Sequence, residues 1–304
     1  MSPVSISVIM PAHNASDTIA VAIESILQQT HRDLELIIVD DNSTDHTAEI
    51  ARGYALADER VRVCALLDDD SQRIGWNGTN INAGWVARNH GMGLAKGEWI
   101  TFQDADDASL LNRLHVQHEF AVKYESSHVC VDWQKFYSSH LGKHLDVRRI
   151  KSVHGEGSLV TNTREILAIA GISKGFIPSY FRWFHEVVPH RIRIRRIARQ
   201  LFFGDNYLHY PGAANCALVR ASLARLVGFR PLSERVWPSR RGRGADRDFN
   251  FAVAEKVKDS ISVRLPLYLW SHNGPNHTDY SGDEYHPVRD IGPVSYTHLT
   301  LPDE

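Results

Sequence analysis

Three carboxylates within four positions, Asp104, Asp106 and Asp107, close the short apolar run Trp99-Ile100-Thr101-Phe102-Gln103. A fold that gathers carboxylates makes them repel one another and strips their hydration, so such a cluster calls for a cation, a hydroxyl-rich ligand or bulk water. The chemistry it suggests is a divalent metal beside a phosphate. An Asp-x-Asp triplet alone is more often a solvated turn or a helix start, and the surrounding elements must decide. Far downstream, Asp246 and Asp248 head an apolar helical run from Phe249 to Ala254, and His272 follows the strand pattern Leu267-Tyr268-Leu269-Trp270.

The elements that must position these groups alternate between strand and helix. Ile6-Ser7-Val8-Ile9-Met10 is almost continuously apolar and ends at Pro11, as expected of a strand buried on both faces of a parallel sheet. Ser16 or Asp17 can cap a helix that sets Ile19, Ile23, Ile26 and Leu27 on one face. Leu34 to Val39 reads as a second buried strand, halted by Asp40-Asp41-Asn42-Ser43. A helix from about Asp45 to Ala57 and a strand at Val61 to Leu67 follow, then an exposed loop from Asp68 to Asn82. Helical spacing returns at Ala83, Ala87 and Leu94, with Gly97 as a cap before the strand Glu98 to Phe102. The repeated unit implies right-handed crossovers and a parallel sheet. Ligands of open α/β sheets bind beyond the carboxyl ends of the strands. One crevice could therefore collect Ala12-His13-Asn14, Asp40-Asp41-Asn42 and Asp104 to Asp107.

At 304 residues the chain exceeds the usual single-domain length, yet one α/β domain with an extension fits as well as two domains. With 43% hydrophobic and 23% charged residues the composition is globular, and a net charge of -2 gives no global nucleic-acid footprint, so no nucleic-acid partner is expected. Cys64, Cys130 and Cys216 are widely separated and lack metal-site spacing, which suits buried thiols in a reducing compartment. The strand pattern begins almost at once and no apolar run is long enough to span a bilayer, so the expectation is a cytoplasmic protein.

With these segments in place, the chain resembles the family-2 inverting nucleotide-sugar glycosyltransferases of the GT-A fold. The resemblance rests on Val8-Ile9-Met10-Pro11-Ala12-His13-Asn14, Ile38-Val39-Asp40-Asp41-Asn42-Ser43-Thr44-Asp45, Ala87-Arg88-Asn89-His90-Gly91 and Gly97 to Asp107, in that order. It covers about the first 125 residues and resumes more loosely from Pro211 to about Asp279. It implies an α/β, Rossmann-like GT-A fold: a mostly parallel central sheet flanked by helices, with an acceptor-side extension. Residues 1–126 would be the nucleotide-sugar-binding half. Residues 127–279 would be the acceptor-binding and catalytic-base half, with a basic and aromatic insertion at about 176–203, and 280–304 a C-terminal tail.

The resemblance also implies roles. The first strand end and the acidic turn of the second hold base and ribose in that family, which assigns Pro11, His13 and Asp41 to the nucleotide. Arg88 matches a position near the diphosphate, Asp104 one near the ribose, and Asp106 the ligand of a divalent cation, Mn²⁺ or Mg²⁺, on the diphosphate oxygens. Such hard ions suit oxygen ligands and need few from the protein. Simpler readings stay open: Asp107 could cap the helix carrying Leu111, Leu114 and His118, Asp40 or Asp41 the helix after the second strand, and Arg88 could be a solvated helix arginine.

An inverting transfer needs a base that takes the proton of the acceptor hydroxyl as it attacks. Gly244-Ala245-Asp246-Arg247-Asp248-Phe249 resembles the family's Glu-Asp-x-Asp segment with Ala245 replacing the glutamate, which makes Asp246 the base. The alternative makes Asp246 an N-cap and Asp248 a first-turn dipole partner. His272 stands where a family histidine can complete the metal shell, with His277 ranking below it.

Phe181, Trp183 and Phe184 precede the arginine-rich stretch His190 to Arg199, which can lie on an anionic membrane or pack as an arm over the site. A second basic run, Arg235 to Arg247, brackets Asp246 with Arg240, Arg241 and Arg243, which could close over a diphosphate, bind an acidic acceptor or belong to a surface loop. Pro293 to Leu301 resembles short translated adapter sequences or else an alternating edge strand, so the tail could be partly non-native.

The resemblance thus implies a metal-assisted, inverting glycosyltransferase, a hexosyl- or related sugar transferase of polysaccharide or glycoconjugate biosynthesis. Its donor would be a nucleotide-diphosphate sugar, a UDP-sugar first among them, and its acceptor a glycan or lipid-linked hydroxyl. Peripheral association with the cytoplasmic face of the membrane is an accompanying expectation. One alternative, suggested by Ala245 and the arginine stretch, is a non-catalytic nucleotide-sugar-binding or membrane-docking module. A second, a sugar-phosphate nucleotidyltransferase, would be expected to carry a Gly-rich phosphate loop and a lysine near the first strand end, and the sequence has neither.

Overall fold

β1 (Ile6–Ala12) and β2 (Leu34–Asp40) pair in parallel, with Ile9 opposite Ile37 and Ala12 opposite Asp40. Helices cover both faces of this pair, which is why both strands are apolar almost throughout rather than alternating. Each fully buried Ile or Val there contributes roughly 1.5–3 kcal/mol. β3 (Val61–Ala65) joins the outer edge of β2 and β4 (Trp99–Phe102) the other edge of β1, both parallel. The crossovers are α1 (Ile19–Leu27), α2 (Thr47–Ala57) and α3 (Trp85–Leu94). The structure, a computed structural model, describes residues 5–66, 84–173, 209–231, 234–237 and 244–271.

Beyond β4 the sheet changes character. β5 (Ala108–Ser109) and α4 (Arg113–Lys123) lead into β6 (His128–Lys135), followed by α5 (Val147–His154), α6 (Glu156–Leu159), β7 (Val160–Thr161) and α7 (Thr163–Ser173). A one-turn 3₁₀ helix, Ala214–Cys216, opens the last run: β8 (Leu218–Arg220), α8 (Ala221–Val227), α9 (Ala245–Val257) and β9 (Ile261–Trp270). β8 is antiparallel to β4 and to β6, β6 is parallel to β9, and β5 and β7 flank β9 antiparallel. One sheet therefore runs through both halves, in the order β3-β2-β1-β4-β8-β6-β9-β5 with β7 also on β9. The expected GT-A architecture holds, with parallel pairing concentrated in β1 to β4 and at β6–β9. The β6–β9 register slips at Asp132, which faces Pro266. Proline has no N–H for the ladder and suits such a bulge.

Alternation along β1 separates two cores. Ile6, Val8 and Met10 pack with Ile23 of α1 and Leu114 and Phe120 of α4 on one face. Ile9 and Phe102 pack with Ala87 of α3, Ala224 of α8 and Phe249 and Phe251 of α9 on the other.

Several local expectations change. Neither Ser16 nor Asp17 caps α1, whose N-cap is Thr18. Gly97 is not a helix cap, because α3 ends at an extended Ala95. Its role is close approach: a Cβ at Gly97 would lie 2.6 Å from the Ser7 backbone nitrogen. Cys130 and Cys216 are buried free thiols, while Cys64 is only half-buried. No helix among the described residues is long and apolar enough to cross a membrane.

Candidate active site

The ends of β1 and β2 turn through two asparagines in the left-handed region, Asn14 (φ 49°) and Asn42 (φ 55°). Asparagine tolerates this conformation better than most residues, so these turns are written in the chain. They lock together: the Asp41 amide donates to the Ala12 carbonyl at 2.7 Å, His13 Nδ1 meets the Asp41 carbonyl oxygen at 2.6 Å, and Thr44 N–H donates to Asn14 Oδ1 at 2.8 Å. Capping of α2 falls to neither Asp40 nor Asp41. Asp45 accepts from the Thr47 backbone N–H at 3.0 Å, while Asp40 accepts from the Ser43 N–H at 3.3 Å within its own turn.

Pro11, at the end of β1, meets the start of α3. Gly84, at φ 66°, is the N-cap of α3, and a Cβ there would sit 3.2 Å from Pro11 Cβ and 3.3 Å from Arg88 Nη1. That tight entry puts Arg88, one turn into the helix, beneath the sheet's carboxyl edge. Arg88 is buried rather than solvated, and its Nη2 donates to Asp104 Oδ1 at 2.5 Å. Its Nη1 lies 3.9 Å from Asp246 Oδ1. Burial alone would lower its pKa, but the carboxylates of Asp104 and Asp246 outweigh that and hold the guanidinium above its ordinary value.

Carboxylate oxygens of Asp104, Asp106 and Asp107 converge to within 4.8 Å of one another. Asp104 Oδ2 accepts from Asn215 Nδ2 at 2.9 Å. Asp107 is no helix cap: α4 begins at Arg113 with Asn112 before it. Asp107 is instead buried, accepting from Tyr268 Oη at 2.8 Å and from the Ser271 backbone N–H at 2.7 Å. Burial, Asp106 and Asp104 together push its carboxyl well above the usual range. The cluster is thus an electrostatically loaded turn held from α3, β9 and the 3₁₀ helix.

Asp246 sits at the second position of α9, behind its N-cap Gly244, and is not itself the cap. Burial raises its carboxyl above the ordinary value, Arg88 opposes the shift, and 30% of the side chain still meets solvent. Asp248 has a different job from dipole pairing. It is buried and accepts from Arg230 Nε and Nη2, each at 2.8 Å, and from the backbone N–H groups of Val236 at 2.7 Å and Trp237 at 3.0 Å. Ala245 is buried at 1% exposure, so the position that carries a glutamate in the resembled motif is here an apolar contact.

Of the sequence candidates, Arg88, Asp104, Asp106 and Asp246 are brought together, and Pro11, His13 and Asp41 line the adjoining strand ends. His272, His277, the 176–203 insertion, Arg240, Arg241, Arg243 and the 280–304 tail lie outside the described residues. Sequence reasoning gave no role to Asn215 and Tyr268, and it read Arg235 only as the start of a basic run beside the proposed base. Asn215 and Tyr268 stood inside strand-like segments whose apolar pattern hid their polar ends. Arg235 is buried, its Nε donates to the Arg230 carbonyl at 3.0 Å, and desolvation lowers it to about 10.

A sheet of this order with an acidic turn after its fourth strand is the GT-A glycosyltransferase fold. It is similar to S. aureus TarS, with a TM-score of 0.53 at 16% identity over 88% of this chain and 36% of that one. The model of the family described as glycosyl transferase family 2 matches residues 7–72 and 80–204, and the chain belongs to that family. Among curated relatives, glycosyltransferase GlyG of Streptococcus pneumoniae is 34% identical over 114 residues, 38% of this chain and 34% of GlyG. The UDP-Glc:alpha-D-GlcNAc-diphosphoundecaprenol beta-1,3-glucosyltransferase WfgD of Escherichia coli is 34% identical over 118 residues, 39% of this chain and 41% of WfgD. The chain matches well under half the length of these relatives.

Proposed function

We propose that this chain is a metal-assisted inverting glycosyltransferase that moves a sugar from a nucleotide-diphosphate donor to an acceptor hydroxyl in polysaccharide or glycoconjugate biosynthesis. One observation carries the reading. Arg88 is buried between Asp104, on the donor strand end, and Asp246, on a helix far along the chain, so a single cation ties the two carboxylate groups together. In an inverting reaction a diphosphate leaving group and a proton acceptor must flank one sugar carbon.

The donor set fits a divalent cation: its oxygens converge, and all are hard carboxylate ligands. Half-buried Asp106, which matches the family position of the metal ligand, would hold the ion, beside Asp104 and Asp107, whose oxygens Arg88, Asn215, Tyr268 and Ser271 engage. Mn²⁺ or Mg²⁺ bound there would offset negative charge on the leaving nucleotide diphosphate. His272 remains a second candidate ligand on sequence grounds. Pro11, His13 and Asp41 would border the base and ribose, Asp104 the ribose, and Arg88 would face the diphosphate. Asp246 takes the proton from the acceptor hydroxyl while that oxygen bonds to the anomeric carbon and the carbon–phosphate oxygen bond breaks on the opposite face. The electron pair leaves with the nucleotide diphosphate.

WfgD, by its name, uses UDP-Glc and a diphosphoundecaprenol-linked GlcNAc. A UDP-sugar and a lipid-diphosphate glycan are therefore the first donor and acceptor to try, at the cytoplasmic membrane face. The test is a transfer assay with a UDP-sugar panel and a GlcNAc-diphosphate-lipid acceptor, with Mn²⁺, Mg²⁺ or EDTA, reading product anomeric configuration by NMR. Metal-dependent transfer with inversion is expected. A retained configuration, or no transfer and no donor hydrolysis with any nucleotide sugar, would contradict the reading.

A further inference from the structure

Behind the proposed base, fully buried polar groups form a chain that no apolar core needs. Asn250, on α9 one turn after Asp246, is completely buried, as are His128 on β6 and Ser260 before β9. Asn250 Nδ2 donates to two carbonyls at once, that of Asp246 at 2.6 Å and that of Ala214 at 2.6 Å. A carbonyl can only accept, so both hydrogens of the amide are committed and its Oδ1 must face the other way. There it meets His128 Nε2 at 2.7 Å, and His128 Nδ1 meets Ser260 Oγ at 2.9 Å. The Nε2 nitrogen must therefore carry the proton and donate to Asn250, while Nδ1 accepts from the Ser260 hydroxyl. The orientation of every member follows from its neighbours, so the chain is a directed relay rather than a loose polar pocket.

What the relay touches is the point. Asp246 carries the proposed base, and Ala214 precedes Asn215, which donates to Asp104 at 2.9 Å and reaches Asp107 at 3.4 Å. One side-chain amide thus bolts the first turn of α9 to the 3₁₀ helix that grips the acidic cluster. We propose that Asn250, oriented by His128 and Ser260, is a positioning residue that sets Asp246 against the donor's diphosphate site. This rests on the proposed glycosyl transfer. Neither Asn250 nor His128 touches the reacting atoms, and their effect passes through the backbone carbonyls of Asp246 and Ala214.

The experiment compares Asn250→Ala, His128→Phe and His128→Gln with the wild-type chain in the transfer assay, each well below its melting temperature, with UDP affinity in Mn²⁺ measured by calorimetry. Displacing a reacting group by about 1 Å is enough to reduce turnover on the order of 100-fold. Asn250→Ala and His128→Phe are expected to lower kcat by ~10- to 100-fold with UDP affinity unchanged, because Arg88 and Asp106 keep their places. His128→Gln, whose amide nitrogen can take the Nε2 place and donate to Asn250, is expected to restore most of the turnover. Unchanged kcat in Asn250→Ala, a parallel fall of kcat and UDP affinity, or His128→Gln as impaired as His128→Phe would overturn the proposal. If the wild-type chain transfers no sugar, the transferase reading fails by itself. The relay is then judged on crystal structures of wild type and Asn250→Ala, where a shifted Asp246 carboxylate supports positioning and an unmoved one refutes it.

Discussion

From β1 to β4 the sheet is parallel throughout, α1 and α2 follow β1 and β2 as crossovers, and the candidate site groups sit where the strands stop. From β5 to β9 the pairings alternate in direction, β9 lies beside three strands from different parts of the chain, and polar side chains are buried inside the layers. The first half places its groups by local geometry: a strand end is an address. The second half places them by hydrogen bonds between distant residues, as Asp248 shows in organising Arg230, Val236 and Trp237 around the start of α9. A donor site that must accept a common nucleotide diphosphate suits the first construction. An acceptor site shaped to one glycan suits the second.

Removing the central group of the donor half should have the largest effect. Asp106→Asn should abolish the metal dependence of UDP binding and lower transfer by more than about 100-fold, since a bound metal supplies several kcal/mol of charge stabilisation. Calorimetry with and without Mn²⁺ reads the first quantity. Asp106→Asn binding UDP as tightly as wild type in Mn²⁺ would remove the donor half from the account.

In the second half, Asp248→Ala removes a buried carboxylate that half-buried Arg230 and two backbone N–H groups share. Donors left without a partner cost about 1–3 kcal/mol each when buried, so urea unfolding should show a clear loss of stability. A loss comparable to that of an exposed pair would mean that the second half is not held by its polar interior.

His128 gives a pH signature confined to the second half. Burial lowers its pKa from 6.5 to about 4, so the unfolded chain binds its proton more readily than the folded one. The stability this provides is complete above pH 6.5 and is lost as pH falls toward 4, about 3 kcal/mol in all. Wild type should lose that increment of urea stability between these pH values, and His128→Gln should not.

The smallest effect belongs to the surface, at Lys123 and Glu156, whose side chains are 53% and 21% exposed. Lys123→Ala should change stability by less than about 1 kcal/mol, which differential scanning calorimetry can bound.

The same contrast explains what was legible in the sequence. Continuous apolar runs at Ile6 to Met10 and Leu34 to Val39, stopped by polar turns, are local signals, and the parallel half follows from them. The placement of Asp104 and Asp106 at a strand end was readable for the same reason. Asp107 was not, because its partners Tyr268 and Ser271 arrive from β9, more than a hundred residues away. The alternative reading of Asp248 as a first-turn dipole partner stood because Arg230 lies 18 positions earlier and no spacing rule connects them. His128 and Asn250 carry no motif at all, and only the packing of β6 against α9 reveals why each is there.

The central claim is that Asp246 serves chemistry while the donor half serves binding. It is tested most directly by Asp246→Asn, with transfer and Mn²⁺-dependent UDP binding measured side by side on the same preparation. A lost general base should lower kcat on the order of 10²- to 10⁴-fold with UDP affinity held, because the amide preserves size and leaves Arg88 paired with Asp104. Undiminished transfer, or loss of UDP binding in step with transfer, would contradict the division of labour between the two halves.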